Sequence, residues 1–247
     1  MSNLHLDVIL SRLKSRYGID VESRQPKIPH KETITTKASA QYKHKKQTGG
    51  KGQYGEVYLR IEPLERGGGF QFVSKIVGGA IPSQYIPAVE KGLRETIAKG
   101  ILSNNPIVDV KVELYDGTFH NVDSSEAAFK VAASKAFHLA FDDAKPVLLE
   151  PVVNIEVTIP SEFMGEITGN LSSRRGRVQG MDSFGDLQVI QASIPMEEVK
   201  NYETELKSMT GGRGSYTMAL SHYDVVPSHL VPLIIAQAKK ETEKADK

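Results

Sequence analysis

Between Asp123 and Pro146 the chain carries an apolar pattern that leaves little choice of local fold: Phe129, Ala132, Ala133, Ala136, Phe137, Ala140 and Phe141 recur at spacings of three and four. That is one face of an α-helix, and a face mixing phenylalanine with alanine must be covered by another layer. Asp123-Ser124-Ser125-Glu126 has the form of a capping box: a side-chain acceptor meets the free amides of the first turn, and Glu126 reaches back.

The runs before this helix are extended. Thr33 to Lys46 and Glu56 to Ile61 flank Thr48-Gly49-Gly50-Lys51-Gly52-Gln53-Tyr54-Gly55, and Val57, Leu59 and Ile61 alternate onto one face. A hairpin with a long glycine-rich tip is predicted. Gly67-Gly68-Gly69 and Gly78-Gly79 bracket a further strand, Phe70 to Ile76. Pro87 suits the first turn of a helix carrying Val89, Leu93 and Ile97 and stopped by Gly100, and Ile107 to Leu114 reads as a strand.

A second unit starts at Pro151. Val153, Ile155, Val157 and Ile159 alternate; Phe163, Met164, Ile167 and Leu171 mark a helix over Ser161 to Arg175; strands follow near Arg177 to Met181 and Leu187 to Ile194. A helix from Met196 to Met209, a strand from Ser215 to Tyr223 and a terminal helix near Ser228 to Lys240 complete it. The order β-α-β-β-α-β predicts a ferredoxin-like sandwich. At the other end, Leu4, Leu6, Val8, Ile9, Leu10 and Leu13 open the chain with a helix ending at Tyr17-Gly18; Ile19 to Glu22 reads as extended, and Pro26 and Pro29 mark a linker. About 30 residues of this kind cannot bury a core alone, so residues 1–30 read as the tail of a domain that begins upstream.

With 247 residues, 31 Lys plus Arg against 30 Asp plus Glu, and a net charge of +1, the chain is no uniformly basic nucleic-acid coat, and any basic footprint is local. The absence of cysteine excludes disulfides, thiolate metal sites and cysteine nucleophiles, and suits a reducing cytoplasm. No apolar run approaches the length of a membrane span, so no membrane partner is expected. Nothing asks for a second copy, and a monomer is expected.

The sharpest charge asymmetry is Lys37, Lys43, Lys45, Lys46 and Lys51 around His44, with no acid among them. On a projecting hairpin this stripe either meets phosphates or guards an exposed strand edge against aggregation. The glycine-rich tip lacks the G-x-x-x-x-G-K-[ST] spacing of a nucleotide cradle. It offers RNA instead one charge in Lys51, one amide in Gln53 and one stacking face in Tyr54. His120 lies beside Asp116 and Asp123, which invites a general-base role, yet no serine elbow, paired acid or metal spacing accompanies it. No catalytic residue and no metal site are therefore assigned. Arg174, Arg175 and Arg177 either complement a helix C-terminus or form a phosphate-contacting corner, and Arg213 sits in a second glycine-rich turn.

Taken together these segments resemble translation elongation factor G along essentially the whole chain. The resemblance rests on Leu4-His5-Leu6-Asp7, Gly50-Lys51-Gly52-Gln53-Tyr54-Gly55, Tyr115-Asp116-Gly117 through Asp123-Ser124-Ser125-Glu126, Leu148-Leu149-Glu150-Pro151, Arg174-Arg175-Gly176 and Gly212-Arg213-Gly214-Ser215-Tyr216, in the family's order. It implies an α+β chain: residues 1–30 the end of domain III, 31–150 a domain IV of ribosomal protein S5 domain 2-like fold with a left-handed crossover, and 151–247 a ferredoxin-like domain V. The family's GTPase domain, with its GTP and Mg, lies outside this chain, which needs no cofactor of its own and is not itself expected to be an enzyme.

The resemblance further implies a ribosome-binding piece of a factor that moves tRNA and mRNA. The tip residues Gly50, Lys51, Gly52, Gln53, Tyr54, Gly55, His120 and Asn121 would face tRNA and mRNA at the decoding site. Lys43, Lys45, Lys46, Arg174, Arg175 and Arg213 would be rRNA contacts, those of domain V near the large-subunit stalk base. Ser103-Asn104-Asn105-Pro106 and Asn170-Leu171-Ser172-Ser173 depart from the family's usual pattern, as in a divergent paralogue, so a role in ribosome recycling is the alternative to translocation; a stand-alone hydrolase using His120 comes last.

Overall fold

The computed structural model describes residues 3–23, 26–47 and 52–245. Helix α1 (Asn3–Tyr17) ends as the glycine predicted: Gly18 adopts φ 66°, and the amides of Gly18 and Ile19 bond back to Lys14 and Leu13 carbonyls. The extended stretch at Ile19 to Glu22 joins no ladder.

Two compact units separate by their internal contacts. One comprises His30–Leu149 and the segment from Val225 onward; the other comprises Glu150–Asp224 and the residues up to Pro29. The division falls between Leu149 and Glu150, one residue before the expected 150/151. The two chain ends group differently from the expected 1–30 and 151–247, because Val226 is buried and its amide bonds the Leu148 carbonyl at 3.0 Å.

In the first unit, β1 (Lys31–Ile34) pairs with the start of β6 (Pro146–Pro160), and β2 (Ala38–Lys46), β3 (Gln53–Pro63), β4 (Phe70–Ser74) and β5 (Val110–Thr118) form a sheet of order β2-β3-β5-β4. The single extended run read from Thr33 to Lys46 is thus two strands, broken by a bend at Thr35–Thr36, where both amides bond the Ala144 carbonyl. Strands β4 and β5 are parallel, which requires a crossover, and α2 (Ile86–Lys99) supplies it.

Helix α3 (Glu126–Asp143) packs with α2 on one face of this sheet. Phe129, Phe137 and Phe141 are fully buried against Val57, Leu59, Ile61, Val112, Leu114 and Leu93, each aromatic ring contributing about 1.5–3 kcal/mol by burial. The helices approach closely at Gly92, where a Cβ would meet the Lys130 carbonyl at 2.6 Å. The cap of α3 differs from the expected box. Ser125, not Asp123, is the N-cap, its hydroxyl accepting from the Ala128 amide at 3.2 Å, and this frees Asp123 for another task.

A buried carboxylate organises the loop after α2. Glu32 is fully buried and accepts from the amides of Ile101 (2.8 Å), Leu102 (2.9 Å), Ser103 (2.8 Å) and Asn105 (3.1 Å). Gly100 enters this loop at φ 77°, and a Cβ there would lie 2.1 Å from the Asn105 carbonyl.

The second unit has the β-α-β-β-α-β order. After β6 come α4 (Met164–Ser173), β7 (Arg177–Phe184), β8 (Leu187–Pro195), α5 (Tyr202–Met209) and β9 (Ser215–Val225), with β6 between β8 and β9. Ile167, Leu171, Tyr202 and Leu206 are buried among Val153, Ile155, Val157, Ile190 and Ile194. The helix read over Met196 to Met209 is a short 3-10 turn, Met196–Val199, followed by α5. The terminal helix, α6 (Val231–Ala245), starts a few residues later than the sequence suggests.

Removing the Glu32 carboxylate leaves four amides of this loop without their acceptor. Glu32→Ala is expected to cost about 3–5 kcal/mol, read as a lowered urea midpoint, with Glu32→Gln losing less.

Candidate nucleic-acid interface

The tip of the β2–β3 hairpin and the turn after β5 meet at one end of the first unit. The hairpin closes with His44 opposite Gly55, Lys45 opposite Tyr54 and Lys46 opposite Gln53. Gly50 and Lys51 of the expected site lie outside the described residues; Gly52, Gln53, Tyr54 and Gly55 lie within them.

Asp123 and Ser124 latch the two segments together. Asp123 Oδ1 accepts from the Gly52 amide at 2.9 Å, and its carbonyl accepts from the Tyr54 amide at 2.9 Å. Ser124 Oγ donates to the Tyr54 carbonyl at 3.0 Å and accepts from the His120 amide at 2.9 Å. Glycine is needed at 52 for room, since a Cβ would stand 2.9 Å from the Asp123 carboxyl carbon; at Gly55 it would press on the Ala128–Phe129 backbone at 3.2 Å.

The latch also orients His120. Its Nδ1 accepts from the Asp123 amide at 3.2 Å and the Val122 amide at 3.3 Å, so the neutral ring carries its proton on Nε2. The half-exposed imidazole lies 6.2 Å from the Tyr54 ring. Gln53 Oε1 lies 3.0 Å from His44 Nε2, which holds the amide in place and leaves its NH2 group as a donor. Lys43 Nζ sits 5.3 Å over the Tyr54 ring, and its ammonium is held above the ordinary lysine range by that phenol and by Glu56. Asn121 is exposed in the same turn.

A cleft of about 140 Å³ lies between these segments, lined by Lys45, Lys46, Gln47, Gln53, Tyr54, His120 and Asp123. Ammonium groups, amides, a phenol and an imidazole donor are suited to phosphates and base edges. A hydrolase is poorly served here: Ser124 gives its proton to a backbone carbonyl, and His120 Nδ1 is engaged by amides. The described residues also do not fit GTP and Mg. Those from Gln53 onward form a strand, with no helix N-terminus following the glycines, and among the described residues no group of three or more His, Cys, Asp or Glu could hold a metal ion.

The arginines of the second unit have protein partners. Arg174 bonds the Glu198 carbonyl at 2.7 Å and pairs with Glu205, while its guanidinium lies 5.6 Å over the Tyr202 ring. Arg175 grips the Glu150 carboxylate through both Nη1 (2.6 Å) and Nη2 (3.0 Å), and its Nε bonds Glu198. These contacts redirect the sequence reading: both side chains are only partly exposed, with carboxylates where a phosphate contact was expected. Arg213 is more open, stacked 4.9 Å over Phe163 and paired with the exposed Glu162.

Residues 26–145 match the family described as elongation factor G, domain IV, and residues 147–233 match the elongation factor G C-terminus. The chain belongs to the elongation factor G family. An elongation factor G-like protein of Thermotoga maritima is 48% identical over 245 residues, covering 99% of this chain and 36% of that protein. The elongation factor G of Aquifex pyrophilus is 48% identical over 237 residues, covering 96% of this chain and 34% of that factor. A crystal structure of a Thermus thermophilus protein superposes with a TM-score of 0.84 at 44% identity, over 97% of this chain and 36% of that one. The chain thus spans about a third of the length of the elongation factor G relatives it matches. The domain IV match contains the whole latched tip.

Substitutions at two positions, Asp123 and Tyr202, test a latch contact and a buried hydroxyl separately. Asp123→Ala is expected to speed hydrogen exchange at the Gly52 amide and to cost about 1–2 kcal/mol, whereas Asp123→Asn, which keeps an acceptor, retains part of that protection. Tyr202 has a buried hydroxyl with no hydrogen-bond partner among the described residues, and burial pushes its phenol up to about 12. Below pH 10 the phenol is neutral in both folded and unfolded chains; above it the unfolded phenol ionises first, so stability falls between pH 10 and 12. Tyr202→Phe is expected to raise stability at pH 7 by about 1 kcal/mol and to weaken this alkaline loss, both measurable by urea unfolding.

Proposed function

We propose that this chain is a ribosome-binding part of a translational GTPase that moves tRNA and mRNA during elongation. The observation that carries the reading is the latched tip: Asp123 and Ser124 hold the two segments at Gly52, Tyr54 and His120, and the donors of Gln53 and His120 stand beside Tyr54 and Lys43. A preset constellation of donors and a ring loses little entropy on meeting RNA, so it can act as a stiff wedge.

The first unit enters the decoding site, with the tip against tRNA and mRNA. The second rests on the large subunit near the stalk base, with Arg213 its more exposed contact. The free energy of the cycle comes from GTP hydrolysis in a GTPase domain of the longer factor; this part supplies shape and charge, works in the cytoplasm as a monomer, and takes no cofactor. No helix among the described residues is long and apolar enough to cross a membrane.

Co-sedimentation with vacant ribosomes across a salt series tests this reading, comparing the wild type with the Lys51→Ala, Gln53→Ala, His120→Ala triple variant. Pelleting that falls with salt, and falls further in the variant, is the expected result. Equal pelleting of the two proteins would remove the tip from the interface, and no pelleting even at low salt would remove the chain's own ribosome binding.

A further inference from the structure

Helices α2 and α3 cover one face of the β2-β3-β5-β4 sheet, and the opposite face carries a continuous web of side chains that meets the tip only at Lys43 and its partner Glu56. Asp116, opposite Tyr58, is exposed, but the other acids lie low: the side chains of Glu113, Glu56 and Glu62 are 5%, 12% and 27% exposed. Each is topped by cations. Glu113 meets Arg60 at 3.1 Å and Lys75 at 2.6 Å; Glu62 meets Lys37 at 3.2 Å and Lys111 at 3.8 Å; Glu56 meets Lys43 at 3.9 Å. Five cations stand against these three carboxylates and Asp116, which leaves one positive charge in excess. The layering matters more than the sum, because the cationic groups form the outer layer.

Aromatic rings sit within this layer. Tyr58 of β3 and Tyr115 of β5 pack edge to face at 6.0 Å, and the Arg60 guanidinium lies 5.0 Å over Tyr115. Both tyrosines are half-buried, so each ring is braced by the sheet and still reaches solvent. A duplex would present its phosphates to the cations but no base faces to the rings. An acidic protein would pair with the lysines and leave the planar groups without a specific role.

We propose that this helix-free sheet face is a second RNA-binding surface, separate from the tip, that takes a single-stranded segment with bases stacked on the Tyr58, Tyr115 and Arg60 planes and phosphates on the surrounding lysines. The side chains are braced before RNA arrives: each carboxylate holds its cations in place, and a strongly polyanionic ligand competes for ammonium groups that remain largely hydrated.

Fluorescence anisotropy of a labelled uridine decamer with the full chain tests the proposal, using a duplex of equal length and polyglutamate as competitors. A Tyr58→Leu, Tyr115→Leu double variant keeps apolar bulk in the sheet and removes the π-faces. It is expected to weaken decamer binding about tenfold or more while the thermal midpoint stays near wild type, and a Gln53→Ala, His120→Ala variant is expected to retain the affinity of this face. If the tyrosine variant fails to fold, a Lys37→Gln, Lys75→Gln variant decides, by flattening the log-log salt slope by about 1.4, roughly 0.7 for each phosphate no longer neutralised. An affinity unchanged in the face variants, a loss confined to the tip variant, competition by duplex or polyglutamate as effective as by unlabelled decamer, or no binding at low salt would each overturn the proposal. A tip that fails the ribosome test leaves this one standing, since Tyr58, Tyr115, Lys37 and Lys75, the side chains changed here, are not among those changed at the tip.

Discussion

The meeting of the β2–β3 hairpin with the turn after β5 depends on where two consecutive residues send their hydrogen bonds. Asp123 takes the Gly52 and Tyr54 amides, one through its carboxylate and one through its carbonyl, and Ser124 bridges the Tyr54 carbonyl and the His120 amide. Charge-assisted bonds to backbone amides are among the stronger ones available to a half-exposed loop. They hold the start of β3 and the turn after β5 against each other, which offsets part of the entropy lost in ordering them. The identity of Ser125 as the cap of α3 makes this possible, because a capping Asp123 would have its carboxylate pointed at the first helical turn instead.

Electrostatics in this unit work by depth rather than by net charge. The formal charge of the chain is only +1, yet on the helix-free sheet face the carboxylates are the less exposed partners and the cations the more exposed ones. Each half-buried carboxylate offsets its desolvation by pairing, while the lysines lose little hydration. The second unit uses its arginines in the reverse sense: Arg174 and Arg175 point inward to Glu205, Glu198 and Glu150. Equal counts of charged residues therefore produce a cationic outer layer in one place and an internal ion-pair network in another.

The elements were legible where periodicity and punctuation agreed. The Phe and Ala face of α3, the alternation of Val57, Leu59 and Ile61, Gly18 and Gly100 as helix stops, and the β-α-β-β-α-β order all read from local pattern, because each is set by which side chains must be covered. The break at Thr35–Thr36 and the buried Glu32 were not, since both depend on partners, Ala144 and residues 101–105, far along the chain. At the candidate site, the sequence singles out Gln53, Tyr54 and His120 and the fold brings them to one end of the unit, while the hydrogen bonds of Ser124 and Asp123 were hidden by a capping pattern that fits two registers; the second serine was the available signal. Tyr58, Arg60 and Tyr115 gave none, being ordinary strand residues until pairing of β3 with β5 brings them together. Arg174 and Arg175 misled in the opposite way, because a cluster of arginines in sequence does not reveal the carboxylates that face it.

The same contacts that join Gly52 and Tyr54 to the turn after β5 tie them to the core. Gly55 lets β3 lie against the Ala128–Phe129 backbone, and Ser125 caps α3 just above that point. The Tyr85 hydroxyl donates to the Ser124 carbonyl at 3.3 Å while its ring stacks 4.9 Å from Phe129, one of the fully buried residues of the core. A load applied at His120 or Gln53 is thus passed within a few residues to the first turn of an 18-residue helix and to the sheet beneath it. Close-packed interiors deform little, so a displacement of Gln53 or His120 is carried into the core of the unit. Stiffness at the tip and burial of α3 are consequences of one arrangement, and a substitution that loosens the latch weakens the mechanical link before it disturbs the core.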